Sequence, residues 1–267
     1  MKKLEHLSEI YDLYDTYIID LWGVMHNGIK LNTGAIKAVE NLKLNHKRII
    51  FLSNAPRPSK NVKEFLIKLN MNEKFLENVL TSGEATIQSL KENKFGVKFF
   101  HLGPVRDNSL FLGLEKNKTT LSNCDFILCT GLFDERQDLN FYKNLFKNEN
   151  SKKLVCTNPD LTVHRGSKEE YCAGKIAEIY KSLGGEVVYF GKPHKEIYDL
   201  ILKEGEKNLV IGDNLNTDIR GANNLNIDSL FITNGVHRSE FKSEEDLSKL
   251  LNNYKIKSKF FQKELCW

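Results

Sequence analysis

A doubly wound, parallel α/β sheet (a Rossmann-like core) interrupted by a smaller α/β insert is the fold this sequence predicts. Three observations carry it. Short apolar runs alternate with amphipathic segments in the order strand, helix, strand, helix, which calls for crossover connections and a parallel sheet. The runs at 17–19, 49–52 and 209–211 are continuously apolar, the pattern of strands covered on both faces. After Thr81 this regularity loosens, and it returns near residue 187. The expected division is therefore a core of 1–81 and 187–267 with an inserted domain at 82–186.

Taken in order, Leu4, Leu7, Tyr11 and Tyr14 recur at helical spacing and predict a short helix at the edge of the fold. The first strand stops on Asp20, and Gly23 lets the chain turn. Met25-His26-Asn27-Gly28 reads as a loop. Asn32 or Thr33 caps a helix with Ala35, Ala38, Val39 and Leu42 on one face. The strand at 48–52 runs into Ser53-Asn54-Ala55-Pro56-Arg57-Pro58, where the prolines force an exit. Ser59 then caps a helix burying Val62, Phe65, Leu66 and Leu69. Within the insert, strands are expected at 97–102, 125–129 and 153–156, with helices at 84–93, 139–146 and 169–183. Gly184-Gly185 stops the last helix. A strand at 186–190 precedes Gly191-Lys192-Pro193-His194 and a helix through Ile197, Leu200 and Ile201. A strand at 208–211 ends in Gly212-Asp213, a helix starts at Thr217, and a strand follows at 229–232. The Lys- and Phe-rich tail has no readable role.

Composition narrows the function. The 267 residues carry a net charge of +4, with basic residues spread along the whole length, which favours solubility over nucleic-acid binding. The cysteines (124, 129, 156, 172 and 266) are odd in number and lack a close pair, as expected of reduced thiols in a cytoplasmic protein. No apolar run approaches the ~20 residues of a membrane span, and the N-terminal stretch has no signal core.

Asp20, Ser53, Lys192 and Asp213 each follow a predicted strand, and such positions gather along one crevice of a doubly wound sheet. A buried carboxylate there needs a cationic partner. Asp20 and Asp213 can hold one hard divalent cation, and magnesium suits a few carboxylates plus a phosphate oxygen. Lys192 and the Ser53 hydroxyl can hold phosphoryl oxygens, which leaves Asp20 free to attack phosphorus. Alone, each Asp would read as a cap or turn residue, and Ser-Asn before Pro is ordinary turn chemistry. Their ordered combination is what points to phosphoryl transfer.

Asp20-Leu21-Trp22-Gly23-Val24, Ser53-Asn54, Gly191-Lys192-Pro193 and Gly212-Asp213-Asn214-Leu215-Asn216-Thr217-Asp218 resemble the four ordered motifs of the haloacid-dehalogenase-like (HAD) phosphatases. The long insert, Thr157-Asn158-Pro159-Asp160 and Gly191-Lys192-Pro193-His194 are similar to its p-nitrophenyl-phosphatase/NagD-like branch, which carries an α/β cap at this point. The resemblance implies Asp20 as nucleophile, Ser53 as phosphoryl ligand and Lys192 as the neutralising cation. It implies magnesium held by Asp20, the Trp22 carbonyl, Asp213 and, as ligand or orienter, Asp218. The substrate would be a small phosphorylated metabolite, touched by Asn54, Arg57, Asn158, Asp160, Arg165 and His194. Caps of this type often dimerise, which keeps a homodimer open.

Trp22 departs from the pattern, because the family's residue two past the nucleophile is an Asp that exchanges protons with the leaving group. An indole N–H is only a donor. Losing general acid–base help costs roughly 10²–10⁴ in rate. Three outcomes stay open: an acid borrowed from His26, His194 or Asp160; substrates with good leaving groups; or a non-catalytic phosphometabolite-binding protein. Cys156 and Cys172 read as small apolar groups, and Phe99, Phe100, Phe260 and Phe261 as packing residues.

Overall fold

A computed structural model describes residues 1–147, 149–166 and 168–267. The strands, in chain order, are β1 (Lys2–Lys3), β2 (Thr16–Ile19), β3 (Arg48–Ser53), β4 (Val79–Thr81), β5 (Phe99–Leu102), β6 (Phe126–Cys129), β7 (Lys153–Cys156), β8 (Thr162–Arg165), β9 (Lys168–Tyr171), β10 (Val187–Tyr189), β11 (Asn208–Gly212), β12 (Asp228–Ile232) and β13 (Phe260–Gln262). The helices are α1 (Thr33–Leu44), α2 (Ser59–Lys68), α3 (Ser82–Lys91), α4 (Leu139–Phe146), α5 (Ala173–Ser182), α6 (Lys195–Asp199), α7 (Arg220–Asn224) and α8 (Glu244–Tyr254).

The main sheet has seven parallel strands in the order β1-β13-β12-β11-β2-β3-β4. Alternate residues of its central strands enter different cores. Tyr17, Ile19, Phe51 and Ile211 pack with α1 and α2, whereas Ile18, Ile50, Leu52 and Val210 pack with Ile197, Tyr198 and Ala222. This two-sided burial, worth about 1.5–3 kcal/mol per large apolar side chain, is why these strands read as unbroken apolar runs. From β2 the chain builds outward through β3 and β4, then returns to the other side of β2 with β11. The order therefore reverses between β2 and β11, where ligands of such sheets bind.

A second, four-stranded parallel sheet has the order β10-β7-β6-β5. Ile127, Leu154 and Cys156 pack on its α4–α5 side, while Phe99, Phe126 and Val155 pack with Leu110 and Phe111 opposite. An antiparallel hairpin, β8–β9, projects from this unit.

Several expectations shift. The N-terminal helix is a pair of 3₁₀ turns at Leu7–Glu9 and Tyr11–Leu13. Residues 169–171 are strand, not helix: Glu169 and Glu170 pair across β8, and α5 begins only at Ala173. Strand β10 hydrogen-bonds to β7 in the smaller sheet, so residues 187–189 stand on the insert's side of the expected boundary. Helix α6 ends at Asp199 and leaves Leu200 exposed. The tail adds β13 to the main sheet, where it pairs with β1 and β12, and α8 covers Phe231. Ser243 caps α8 by accepting from Asp246 N at 3.1 Å, with Glu244, Glu245 and Asp246 at its positive end.

Candidate active site

In the parallel register Ile19 lies opposite Ile211, so Asp20 leaves β2 one residue past this pair and Asp213 leaves β11 two past it. The two carboxylates meet at the sheet's reversal point. Gly23 makes that meeting possible. Its φ is +98°, and a Cβ there would stand 2.1 Å from Asp213 Oδ2. Asp20, Asp213 and Asp218 each bring a carboxylate oxygen within 4.8 Å of the others.

Lys192 is 2 % exposed and reaches into this group. Its Nζ donates to Asp20 Oδ1 at 2.5 Å, to Asp218 Oδ1 at 2.7 Å and to the Leu52 carbonyl at 2.9 Å. Asn54 fixes the strand-end loop that carries it, accepting from Lys192 N at 2.8 Å and donating to Lys192 O at 3.1 Å. Burial opposes the ammonium, but the Asp20, Asp218 and Asp160 carboxylates together hold its pKa well above the ordinary value. Burial, with Asp20 and Asp218 as like charges, pushes Asp213 far up, and Asp20 is raised for the same first reason.

Three buried carboxylates (Asp20, Asp213 and Asp218) and the half-buried Asp160 thus face the Lys192 ammonium. The donor set is all oxygen, and its excess charge is negative, so it fits a hard divalent cation such as Mg²⁺. Asp213 keeps Oδ2 on Val236 N at 2.9 Å and has its other oxygen to offer. Asp218 is doubly engaged, by Lys192 and by Asn214 N at 3.1 Å, which favours an orienting place over direct ligation. No protein donor reaches the Trp22 carbonyl among the described residues.

These groups line a cavity of about 290 Å³ between the two sheets, together with Ser53, Asn54, Arg57, Asn158, Asp160 and Arg165. Ser53 Oγ accepts from Ala55 N at 3.2 Å, so its hydroxyl proton is left to donate into the cleft. Asp160 Oδ1 accepts from Asn54 Nδ2 and Asn214 Nδ2, both at 3.2 Å, and so joins the insert to both halves of the core. Burial pushes Asp160 up to about 6, with Lys192 pulling the other way. Asn158 Oδ1 steadies it by accepting from Asp160 N at 3.1 Å.

Two expected participants stand elsewhere. His194 is outside the cavity lining, with its ring stacked on Tyr189 at 5.0 Å. His26 is buried between the rings of Trp22 and Phe65, and its Nδ1 accepts from Gly28 N at 3.0 Å. Burial, then Arg165 and Arg57, lowers His26 to about 4, so it is a neutral packing group. The folded pKa lies below the unfolded one, so the stability it contributes is present above pH 6.5 and is lost as pH falls toward 4. Between pH 7 and pH 5, wild type should lose about 2 kcal/mol more stability than His26→Phe, measured by urea unfolding at both pH values. Parallel losses in the two proteins would contradict this placement.

Trp22 has a definite structural task. Its Nε1 donates to the His164 carbonyl at 2.8 Å, the Arg165 guanidinium lies 4.8 Å from its ring centroid, and Gly166 N donates to Asn27 O at 3.1 Å. The side chain therefore anchors the β8–β9 hairpin to the loop after Asp20. Trp22→Phe keeps a ring and removes the donor, a loss of about 1 kcal/mol. Amide hydrogen exchange across the hairpin should accelerate roughly fivefold; unchanged protection would remove the anchoring role.

The sequence reading missed Arg106, Asp107 and Glu170, which also line the cavity. They lie in the insert without any motif around them. Asn214 stood inside a quoted motif, but its link to Asp160 becomes visible only in three dimensions. The cysteine reading holds: all five are free, Cys156 and Cys172 are buried, and burial raises both thiols.

A family profile described as haloacid dehalogenase-like hydrolase matches residues 17–116, and a second, HAD-hydrolase-like, matches 189–255. A crystal structure of a haloacid dehalogenase-like family hydrolase from Brucella suis is 30% identical, covering 98% of this chain and 99% of its own, with a TM-score of 0.86. The p-nitrophenyl phosphatase from Archaeoglobus fulgidus shares the fold at a TM-score of 0.68 and 20% identity, covering 94% and 96%. The 5'-nucleotidase YutF of Bacillus subtilis is 25% identical over 87% of this chain and 92% of its own.

Proposed function

The chain belongs to the haloacid dehalogenase-like hydrolases, and from that premise we propose a magnesium-dependent phosphatase of a small phosphorylated metabolite that works through an aspartyl-phosphate. The observation that carries this is the Lys192 ammonium, held 2.5 Å from Asp20 beside the Asp213 and Asp218 carboxylates. Asp20, the Trp22 carbonyl and Asp213 would hold Mg²⁺, with Asp218 orienting. When bound, the ion supplies positive charge to the phosphoryl oxygens and to the crowded carboxylates.

Asp20 attacks phosphorus through the carboxylate oxygen not committed to Lys192, and the bond from phosphorus to the leaving oxygen breaks. Lys192 and the Ser53 hydroxyl hold the phosphoryl oxygens. Of the three acids considered from the sequence, Asp160 alone lines the cleft. With a pKa near 6 and one oxygen free of the two Asn amides, it gives its proton to the leaving oxygen and later takes one from the attacking water. Residues 82–190 act as the cap that brings this acid to the core.

The test compares an alkyl with an aryl phosphate in the presence of magnesium. Asp160→Asn should lower kcat/KM, which reports phosphoryl transfer to Asp20 alone, roughly 10²–10⁴-fold for the alkyl ester and less than about tenfold for the aryl ester, whose leaving group needs little protonation. Equal losses would remove Asp160 as the acid. Absence of any Asp20-dependent turnover, even on p-nitrophenyl phosphate, would leave a phosphometabolite-binding protein instead.

A further inference from the structure

The cleft holds a second group of charges that phosphoryl transfer does not use. Arg57 follows β3, Arg106 lies in the 3₁₀ segment Val105–Phe111 after β5, and Arg165 ends β8, yet all three line the same cavity. None of them forms an ion pair with Asp20, Asp160, Asp213 or Asp218 among the described residues, so they do not serve to neutralise the acid cluster. Their own pairings are slight. Arg57 Nε stands 3.4 Å from Asp107 Oδ1 and, although buried, makes no hydrogen bond. Arg165 Nε meets Glu170 at 3.3 Å. No terminal guanidinium nitrogen of the three has a protein hydrogen-bond partner among the described residues.

The Arg57 backbone is held in place. Its carbonyl accepts from Thr81 Oγ1 at 2.6 Å, and a Cβ at position 83 would lie 2.4 Å from its backbone N, so Gly83 is what lets α3 seat against it. Asp107 and Glu170 offset part of the arginines' charge through the Nε atoms, and the terminal nitrogens of the three forks stay open on one cavity, with a geometry that matches a carboxylate or phosphate bidentately.

We infer that the substrate carries a second anionic group, a carboxylate or another phosphate, recognised by Arg57, Arg106 and Arg165 while its phosphoryl group meets Asp20 and Lys192. This rests on the phosphatase reading for the phosphoryl end only.

Binding tests it without turnover. Calorimetry on the full chain with magnesium would compare ω-phosphonocarboxylates of two to five methylenes with their ω-carboxamides. At the best-fitting length the carboxylate should bind at least tenfold tighter than its amide. Arg57→Gln should bring that preference below threefold. Arg106→Gln, at an exposed position where folding is not at stake, should lower it as well. Equal affinity for carboxylate and amide across the series, or binding of neither, would overturn the inference. A separate assay with p-nitrophenyl phosphate judges the phosphatase reading: turnover there with no carboxylate preference would sink the second-anion site alone. A preference by calorimetry with no turnover would sink only the hydrolysis.

Discussion

Asp20→Asn should abolish turnover, by roughly 10⁴-fold or more, while making the metal-free protein more heat-stable. The first effect follows from removing the nucleophile. The second follows from the charge count, because Asp20 is one of three buried carboxylates, with Asp160 half-buried beside them, clustered around the Lys192 ammonium. Neutralising it relieves like-charge repulsion that burial makes severe. Lys192 keeps Asp218 at 2.7 Å and the Leu52 carbonyl, so its ammonium stays partnered. Thermal melts with and without magnesium check both halves: the variant should melt higher without metal and gain less when metal is added. A variant that melts lower without metal would mean Asp20 is held chiefly by Lys192, and that repulsion among the acids is minor.

Lys192→Met should act in the opposite sense on stability. It strips the acid cluster of the one buried cation paired with it among the described residues and leaves charges that neither water nor a partner solvates, a cost of about 3–5 kcal/mol. The sign of its pH dependence follows from the same groups. Without the ammonium, the folded-state pKa values of Asp20, Asp160 and Asp213, already raised by burial, rise further above their unfolded values. The folded state then binds more protons than the unfolded state, so stability returns as pH falls. Urea unfolding should show the deficit against wild type shrinking from pH 8 to pH 5. A deficit that grows on acidification would contradict the account of the cluster.

Much of the site was legible because three of its residues stand at the ends of buried strands. Asp20, Ser53 and Asp213 sit where apolar runs stop, and the parallel order places those stops together. Lys192 was legible from its glycine and proline neighbours. What could not be read depends on contacts between distant segments. Nothing local to Trp22 says that its indole will meet the His164 carbonyl, or that Arg165 will cover its face. The hairpin was mistaken for helix because Lys168, Glu169 and Glu170 are good helix formers whose strand state comes only from pairing with β8. Helix α8 did carry a local signal, the Ser243 cap before three acids. The strand at 260–262 carried none beyond its phenylalanines, since β13 takes its place from β12 and β1.

The reversal of strand order between β2 and β11 also sets a timetable. Asp20 and Asp213 lie 193 residues apart in the chain. At roughly 5–20 residues per second of synthesis, the inner edge of β2 waits about 10–40 s for β11 to emerge. The smaller sheet draws all its strands from residues 99–189, so it can close while the larger one is still half made. The insert can therefore be complete before the acid cluster is assembled.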